Sequence, residues 1–322
     1  MKLSRLGAAL LAAASAMMVN AAFAQSFPAK PIRMLSIASG VIDGLSRMMA
    51  ERMSEALGQP VVIEPMLGGG GGIAAAQAAR SAPDGYTLLI TYPDPLLMRH
   101  LLIKDVPYET LKDFTPVTVM IDATIGFAVR PDVPVNTLKE FIEYAKANPD
   151  KIHYGSGGYG SSFQMAGEAL KQHAGFTMTY VPYKSTADAQ IALLRGDLEF
   201  LPAALSAGLP LHRAGKLRYI AIVNNERASA LPDLPSTREV VPGFSSPPYW
   251  TGVVGPAKLP APVLQRLNTE MVKAMQAPEF RKRAEDASFK VVGNTPEEFR
   301  RRLEGELEYM AKTARAAGIK PD

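Results

Sequence analysis

Ile152-His-Tyr-Gly-Ser-Gly-Gly-Tyr-Gly-Ser-Ser162 is the stretch that decides the fold of this chain. A short β run enters a glycine- and serine-rich loop, and a helical run begins directly after it. Such a loop leaves backbone N–H groups free at the helix N-terminus and places serine hydroxyls beside them. An anion can bind those groups without any cationic side chain. The stretch therefore predicts a strand–loop–helix unit of an α/β fold, with an anion site at the tip of the strand.

On both sides of this stretch β and α signals alternate, which predicts an α/β fold with mainly parallel sheets. Ile32-Arg-Met-Leu-Ser-Ile37 is predicted as the first strand, and Asp43 as the cap of the helix that follows. Apolar residues recur at helical spacing from Leu45 to Leu57, so one face of this helix should pack on the core. Tyr92-Pro-Asp-Pro95 follows a third predicted strand, at the edge where α/β sheets bind ligands.

Two segments are predicted to cross between two domains. Phe114–Val129 is an extended apolar run that is longer than one strand needs. A proline-rich passage that ends near Ser246-Pro-Pro248 suits a second crossing. We therefore expect one lobe to hold residues 25–122 with 247–322, and the other lobe to hold residues 123–246, with a ligand cleft between them.

The N-terminus has the three parts of an export signal in the right order. Lys2 and Arg5 form a positive region, Leu6 to Val19 is an apolar run too short to span a bilayer, and Ala22-Phe23-Ala24 is a cleavage site. Residues 1–24 are thus predicted to be a signal peptide that is cleaved near Ala24. The remaining chain is long enough for two domains of ordinary size.

Composition excludes several classes of function. Cysteine is absent, so the chain has no disulfide, no thiolate metal site and no cysteine nucleophile. None of the four histidines lies at ligand spacing from another, so we expect no metal and no cofactor. The formal net charge is only +4, and no lysine- and arginine-rich block is interleaved with aromatic residues, so we expect no nucleic-acid partner.

Two enzyme classes remain as alternatives, and both lack a necessary element. Gly155-Ser-Gly-Gly-Tyr-Gly160 formally matches a dinucleotide-binding loop, but no acidic residue stands at the tip of the next strand, where Pro182-Tyr183-Lys184 follows. Candidate serine nucleophiles exist in the same loop, but none lies in a G-x-S-x-G turn. A binding protein is therefore favoured over a dehydrogenase or a secreted hydrolase.

Short motifs along the whole of Phe27 to Asp322 resemble one family of receptors. They are Phe27-Pro-Ala-Lys-Pro-Ile-Arg33, Ala82-Pro-Asp-Gly-Tyr-Thr-Leu88, Leu111-Lys-Asp-Phe-Thr-Pro-Val117, Tyr154-Gly-Ser-Gly-Gly-Tyr-Gly-Ser-Ser162, Val181-Pro-Tyr-Lys184, Ala214-Gly-Lys-Leu-Arg218, Leu231-Pro-Asp-Leu-Pro235 and Thr295-Pro-Glu-Glu-Phe299. In this order they are similar to the periplasmic solute-binding receptors of tripartite tricarboxylate transporters, the Bug family. Each motif alone is modest, and the specificity comes from their number and order.

The resemblance implies a two-lobed periplasmic-binding-protein fold of type II-like form, with no catalysis. It also implies a small organic anion as ligand, membrane permease subunits as partners, a periplasmic location and a monomer. The ligand would be a carboxylate held by backbone N–H groups and serine hydroxyls of both lobes. The residues that the resemblance places at this site are Ser39, Gly40, Asp43, Tyr92, Ser156, Gly160, Ser161, Ser162, Tyr183, Ser185 and Ala203.

Departures from the family pattern bear on the ligand. The first-lobe loop Ser36–Asp43 has Gly40 as its only glycine, where the family has a Gly-Gly turn, and Ala203 stands where many relatives carry aspartate. We therefore expect a dicarboxylate or an aromatic or aliphatic carboxylate with a more apolar far end than citrate or aspartate. A receptor that presents its ligand to a sensor, rather than to a permease, is the alternative.

Overall fold

The structure is a computed structural model that describes residues 27–149, 151–158, 160–316 and 318–319. The predicted signal peptide, residues 1–24, lies outside these ranges. Two β-sheets form, and each is covered by helices. The six-stranded sheet holds Ile32–Ser36 (β1), Val61–Pro65 (β2), Thr87–Thr91 (β3), Phe114–Ala123 (β4), Trp250–Pro256 (β10) and Phe289–Val291 (β11). The five-stranded sheet holds Ile125–Val129 (β5), His153–Ser156 (β6), Thr179–Pro182 (β7), Phe200–Ala204 (β8) and Arg218–Ile222 (β9). We call each sheet with its helices the first and the second lobe.

Helices connect most of these strands. In the described ranges the α-helices are Gly40–Leu57 (α1), Gly72–Ala79 (α2), Arg99–Leu102 (α3), Thr110–Asp113 (α4), Leu138–Ala147 (α5), Ser162–Ala174 (α6), Thr186–Arg195 (α7), Leu205–Arg213 (α8), Thr237–Val240 (α9), Ala261–Met275 (α10), Pro278–Asp286 (α11) and Pro296–Ala316 (α12). A single π-helical turn, Asp94–Met98, follows β3. None of the helices in the described part of the chain combines the length and the apolar character that a membrane span requires.

The two-lobed α/β architecture is confirmed, but both sheets are mixed rather than mainly parallel. The strand orders are β11-β4-β10-β3-β1-β2 and β7-β6-β8-β5-β9. Five of the nine pairings between these strands are antiparallel. The parallel ones join β1 to β2 and β3, and β6 to β7 and β8. The parallel strands β1 and β6 lead into helices α1 and α6. Each antiparallel pairing includes β4, β5 or β10, which are the strands next to the two crossings between the lobes.

The extended run that begins at Phe114 crosses between the sheets, as its length predicts. Strand β4 ends at Ala123 in the first lobe and β5 begins at Ile125 in the second. The Asn224 side chain fastens this crossing, because it accepts from the Ile125 N–H (2.8 Å) and donates to the Ala123 carbonyl (2.9 Å). The chain returns to the first lobe between β9 and β10. Division of the lobes at 122/123 and 246/247 stays a prediction.

The first helix shows how local pattern sets packing. Met49 and Met53 of α1 are fully buried in the first-lobe core, so the predicted core-facing stripe is confirmed. Its predicted cap is wrong. Ser39 is the N-cap, and Asp43 lies inside the first turn, where it pairs with Arg47 (2.9 Å). The helix starts before Asp43 because Gly40 adopts φ +59°, which lets the chain turn directly after Ser39.

Side chains of the C-terminal helix α12 form polar contacts with two strands of the first sheet, β4 and β10. Arg302 forms ion pairs with Asp122 of β4 (2.8 Å) and with Glu306 (2.7 Å), and the Trp250 indole N–H donates to Glu306 (2.7 Å). Burial raises the pKa of Glu306, while Arg302 acts in the opposite direction. Because the guanidinium lies between two carboxylates, this cluster stabilises the sheet next to the crossing.

Candidate functional site

The predicted anion loop lies where the sequence places it, at the carboxyl end of β6 and in front of α6. The hydroxyls of Ser156 and Ser161 are hydrogen-bonded within the second lobe. Ser156 Oγ contacts Ser161 Oγ and the Tyr180 hydroxyl, each at 2.7 Å. Ser161 is the N-cap of α6, and its Oγ accepts from the Gln164 N–H (3.2 Å). These bonds give the loop a fixed shape.

Gly160 has a structural role in the same loop. Its φ is +69°, a left-handed conformation that favours glycine. Its N–H donates to the Gln164 side-chain oxygen (2.5 Å), so this donor is occupied within the loop. A Cβ at Gly160 would overlap the side chain of Leu102, which belongs to the first lobe. Glycine is therefore required both by backbone conformation and by the close approach of the other lobe.

Ser162 is the loop residue that holds a carboxylate. Its hydroxyl donates to Asp94 Oδ1 (2.8 Å), and its N–H points to the same oxygen at 3.4 Å. Asp94 comes from the turn after β3, so this contact joins the two lobes. The Tyr249 hydroxyl donates to the Ser162 carbonyl (2.9 Å) and supports the position of this residue from the other side. The N-terminus of α6 thus faces a side-chain carboxyl group of the first lobe.

Asp94 is partly buried at this contact. Burial raises the pKa of its carboxyl group, and the hydrogen bonds from Ser162 lower it. The charge is therefore compensated mainly by two hydrogen bonds and by the N-terminal end of a helix. A carboxylate in this environment is held less firmly than one paired with a guanidinium.

The first-lobe residues that were predicted for the site gather around the start of α1. Ser39 and Gly40 are exposed there. Tyr92, at the end of β3, is half-buried. Burial raises its pKa to about 12, with a backbone hydrogen bond from Ser39 acting in the opposite direction. Asp43 also raises the pKa of Tyr92, so it lies close to the phenol. The structure therefore brings these four residues together.

The other three second-lobe residues that were predicted for the site are Tyr183, Ser185 and Ala203, and each has a different environment. The Tyr183 ring packs beside Gly155, and its N–H donates to the Ser156 carbonyl (3.0 Å). Ser185 is exposed and caps α7 through Asp188. Ala203 is 2% exposed and belongs to an apolar cluster within the second lobe. Its side chain faces that core rather than the serine loop.

The metal and serine-hydrolase alternatives each require particular side chains near the loop. Within the residues that the structure describes, no group of three or more His, Asp or Glu side chains is placed to hold a metal ion. His153 would have to act as a base for the loop serines, but its Nδ1 lies 3.2 Å from Glu199. The serines bond instead to one another, to Tyr180 and to Asp94.

A sequence profile of the family described as "Tripartite tricarboxylate transporter family receptor" matches residues 45–315. The chain belongs to this family.

Relatives of this receptor support the assignment over nearly the full chain. It is similar to Protein BugT of Bordetella pertussis, at 30% identity over 306 residues and 92% of each chain. Among solved structures it is similar to R. palustris Rpa4515 with adipate (29% identity, TM-score 0.81, 92% of this chain and 100% of that one). It is also similar to MatC of Rhodopseudomonas palustris with bound malate (28% identity, TM-score 0.75, 89% and 99%). The chain is thus a solute-binding receptor and not an enzyme.

Sequence reasoning did not name as site residues four residues that contact the serine loop. They are Asp94, Leu102, Gln164 and Tyr180. The position of Asp94 after a strand at the ligand edge of the sheet was a usable signal. The contacts of the other three depend on how the lobes and the loop fold together.

Proposed function

We propose that this receptor captures a small organic carboxylate between its two lobes and delivers it to the permease subunits of a tripartite transporter. The observation that carries this proposal is the contact at Ser162. One carboxylate oxygen is bound there by a hydroxyl and faces a backbone N–H at the N-terminus of α6. A ligand carboxylate needs the same two donors, and uncharged donors also allow the ligand to leave.

In this proposal the two lobes have complementary roles. Ser162 binds one end of the ligand, while Ser156, Gly160 and Ser161 hold the loop in shape. The N-terminus of α1, with Ser39 and Gly40, offers backbone N–H groups to the other end of the ligand. Asp43 lies in the first turn of α1 and Ser185 is the N-cap of α7, so each would contribute by stabilising the start of its helix.

The same proposal assigns an aliphatic or aromatic character to the ligand. Val41 is 39% exposed beside the start of α1, and Tyr92 and Tyr183 add aromatic surface near the two loops. Adipate, which is bound in Rpa4515, has an apolar chain between its carboxylates, while malate, which is bound in MatC, is shorter and hydroxylated. We favour the adipate type, because apolar surface gains free energy when it is covered by methylene groups.

Cellular location follows from the N-terminal segment. Residues 1–24 would direct export, with cleavage near Ala24, and the mature receptor would work in the periplasm as a monomer. The lobes, divided at 122/123 and 246/247, would open to admit the ligand and close around it by bending at the two crossings.

A thermal-shift screen with matched ligands tests the proposal. A ligand that binds only the native state raises the unfolding free energy, by about 2.7 kcal/mol at one hundred times its dissociation constant. We expect one or more of adipate, terephthalate, malate, citrate and aspartate to raise the melting temperature. Adipamide, which has the length of adipate without its charges, should have no effect. Equal shifts with adipate and adipamide, or none with any acid, would contradict the carboxylate assignment.

A further inference from the structure

A first-lobe segment covers the anion loop of the second lobe. This cap segment, Asp94–Leu102, consists of the π turn after β3 and the short helix α3. Met98 of the cap segment packs with Met165 of α6 and Met310 of α12 in one buried cluster. At its end, Leu102 occupies the space in front of Gly160. The segment therefore contacts the loop at several points, not only through Asp94.

Within this contact, the Asp94 carboxyl group accepts from both donors of Ser162. The hydroxyl and the N–H of Ser162 both point to one oxygen, Asp94 Oδ1. A serine has one hydroxyl proton and one N–H, so it cannot give both to a second carboxylate at the same time. Two carboxylates at one site also repel each other. A ligand carboxylate and Asp94 therefore exclude each other at Ser162.

We propose that Asp94 is an internal competitor that holds the empty receptor closed, and that a ligand carboxylate must displace it from Ser162. This inference rests on the proposed function, because it assumes that the ligand carboxylate uses the same donors. Asp94 would also act as a specificity-determining residue. An acid that binds only at Ser162 must displace Asp94, and it gains no binding free energy from any other contact. An acid that also binds the first lobe gains binding free energy from those contacts, which offsets the displacement.

The contacts around Asp94 favour displacement over permanent occupancy. Burial raises its pKa, and the groups that lower it are the hydroxyl and N–H of Ser162. The other ionisable groups that face it are the phenols of Tyr92 and Tyr249, whose own pKa values are raised by burial first and by Asp94 as a further cause. The hydrogen bonds of one serine hold Asp94 less firmly than an ion pair with a guanidinium would.

The binding test compares Asp94→Ala with Asp105→Ala. Asp105 is an exposed acid of the same lobe, so its substitution changes the net charge equally without touching Ser162. Adipate and malate are titrated calorimetrically into the two variants and the wild type. Loss of a competing hydrogen bond to a charged group should raise the affinity of Asp94→Ala about ten-fold or more, since such bonds are worth about 1.5–3 kcal/mol. The affinity of Asp105→Ala should stay at the wild-type value.

Equal or weaker binding by Asp94→Ala would overturn the inference. Asp94→Asn is the second variant, because it keeps a carbonyl oxygen for Ser162 and preserves the size of the side chain. Its affinity should lie between those of wild type and Asp94→Ala.

A measurement without ligand separates this inference from the proposed function. Small-angle scattering of the empty proteins should give a larger radius of gyration for Asp94→Ala than for wild type and Asp105→Ala. Identical curves for all three would overturn the idea that Asp94 holds the lobes closed. If the curves differ but none of the five acids of the thermal-shift screen binds any variant, then Asp94 closes the lobes and the ligand class in the proposed function is wrong.

Discussion

Replacing Gly160 by alanine should destabilise the empty receptor by more than its backbone conformation alone requires. An L-residue in the left-handed conformation of Gly160 (φ +69°) costs about 1–2 kcal/mol. The new methyl group would also lie 2.6 Å from Leu102 Cγ, which is closer than packed carbon atoms approach. Forcing a methyl into a packed contact costs about 1–3 kcal/mol. The expected loss of unfolding free energy is therefore about 2–5 kcal/mol.

Gly175→Ala is a matched control at the other end of α6. Gly175 has almost the same φ, +68°, and a Cβ there would meet nothing within 4 Å. Urea denaturation should show a loss of only about 1–2 kcal/mol for this variant. The difference between the two glycine variants measures the overlap with Leu102, and with it the contact between the lobes.

A double-mutant cycle identifies the partner. In a Leu102→Ala background the overlap is removed, so Gly160→Ala should then cost no more than Gly175→Ala. If the two glycine variants lose equal stability with Leu102 present, the cap segment does not lie over the loop in the empty protein. The reasoning about closure would then be wrong.

Ser161→Ala should lower the unfolding free energy by about 1 kcal/mol, because it removes the N-cap of α6, and thermal unfolding would show no change if the cap were unimportant. Arg302→Ala should lower the unfolding free energy by about 3 kcal/mol in urea denaturation, because it leaves the carboxylates of Asp122 and Glu306 without their ion-pair partner. A loss no larger than that of an exposed ion pair would contradict this role. Burial raises the pKa of Asp94, so the folded protein binds a proton there more readily than the unfolded chain, and the ionised group costs stability above its folded pKa. Asp94→Asn should therefore be more stable than wild type at neutral pH, and this advantage should shrink as the pH falls through the pKa of Asp94; an advantage that grew on acidification would refute the sign of the shift.

The local parts of the fold could be predicted from sequence. The helical stripe of α1, the extended run from Phe114 and the strand–loop–helix unit before Ser162 depend on periodicity and turn chemistry, which neighbouring residues determine. Sheet direction could not be predicted in the same way. Strand β10 pairs antiparallel with β3 and with β4, and both of these strands are far from it in the chain. The periodicity of a sequence does not indicate which strands become neighbours in a sheet.

The chemistry of the site could be predicted only in outline. The sequence identified a loop in front of a helix N-terminus, but it did not show the hydrogen-bond partner of each hydroxyl in that loop. Ser161 and Ser185 cap their own helices, and Ser156 bonds to Tyr180. The Asp94 contact with Ser162 joins residues 68 positions apart and depends on how closely the two lobes approach. Hydrogen-bond partners of this kind are set by tertiary structure rather than by local sequence.

A crystal structure of the receptor with the acid that raises its melting temperature most tests the central claim most directly. We expect a ligand carboxylate oxygen within hydrogen-bond distance of the Ser162 hydroxyl and N–H, with Asp94 turned away from both. The second end of the ligand should lie near the start of α1. A ligand bound elsewhere, or bound in the cleft while Asp94 stays on Ser162, would contradict the account.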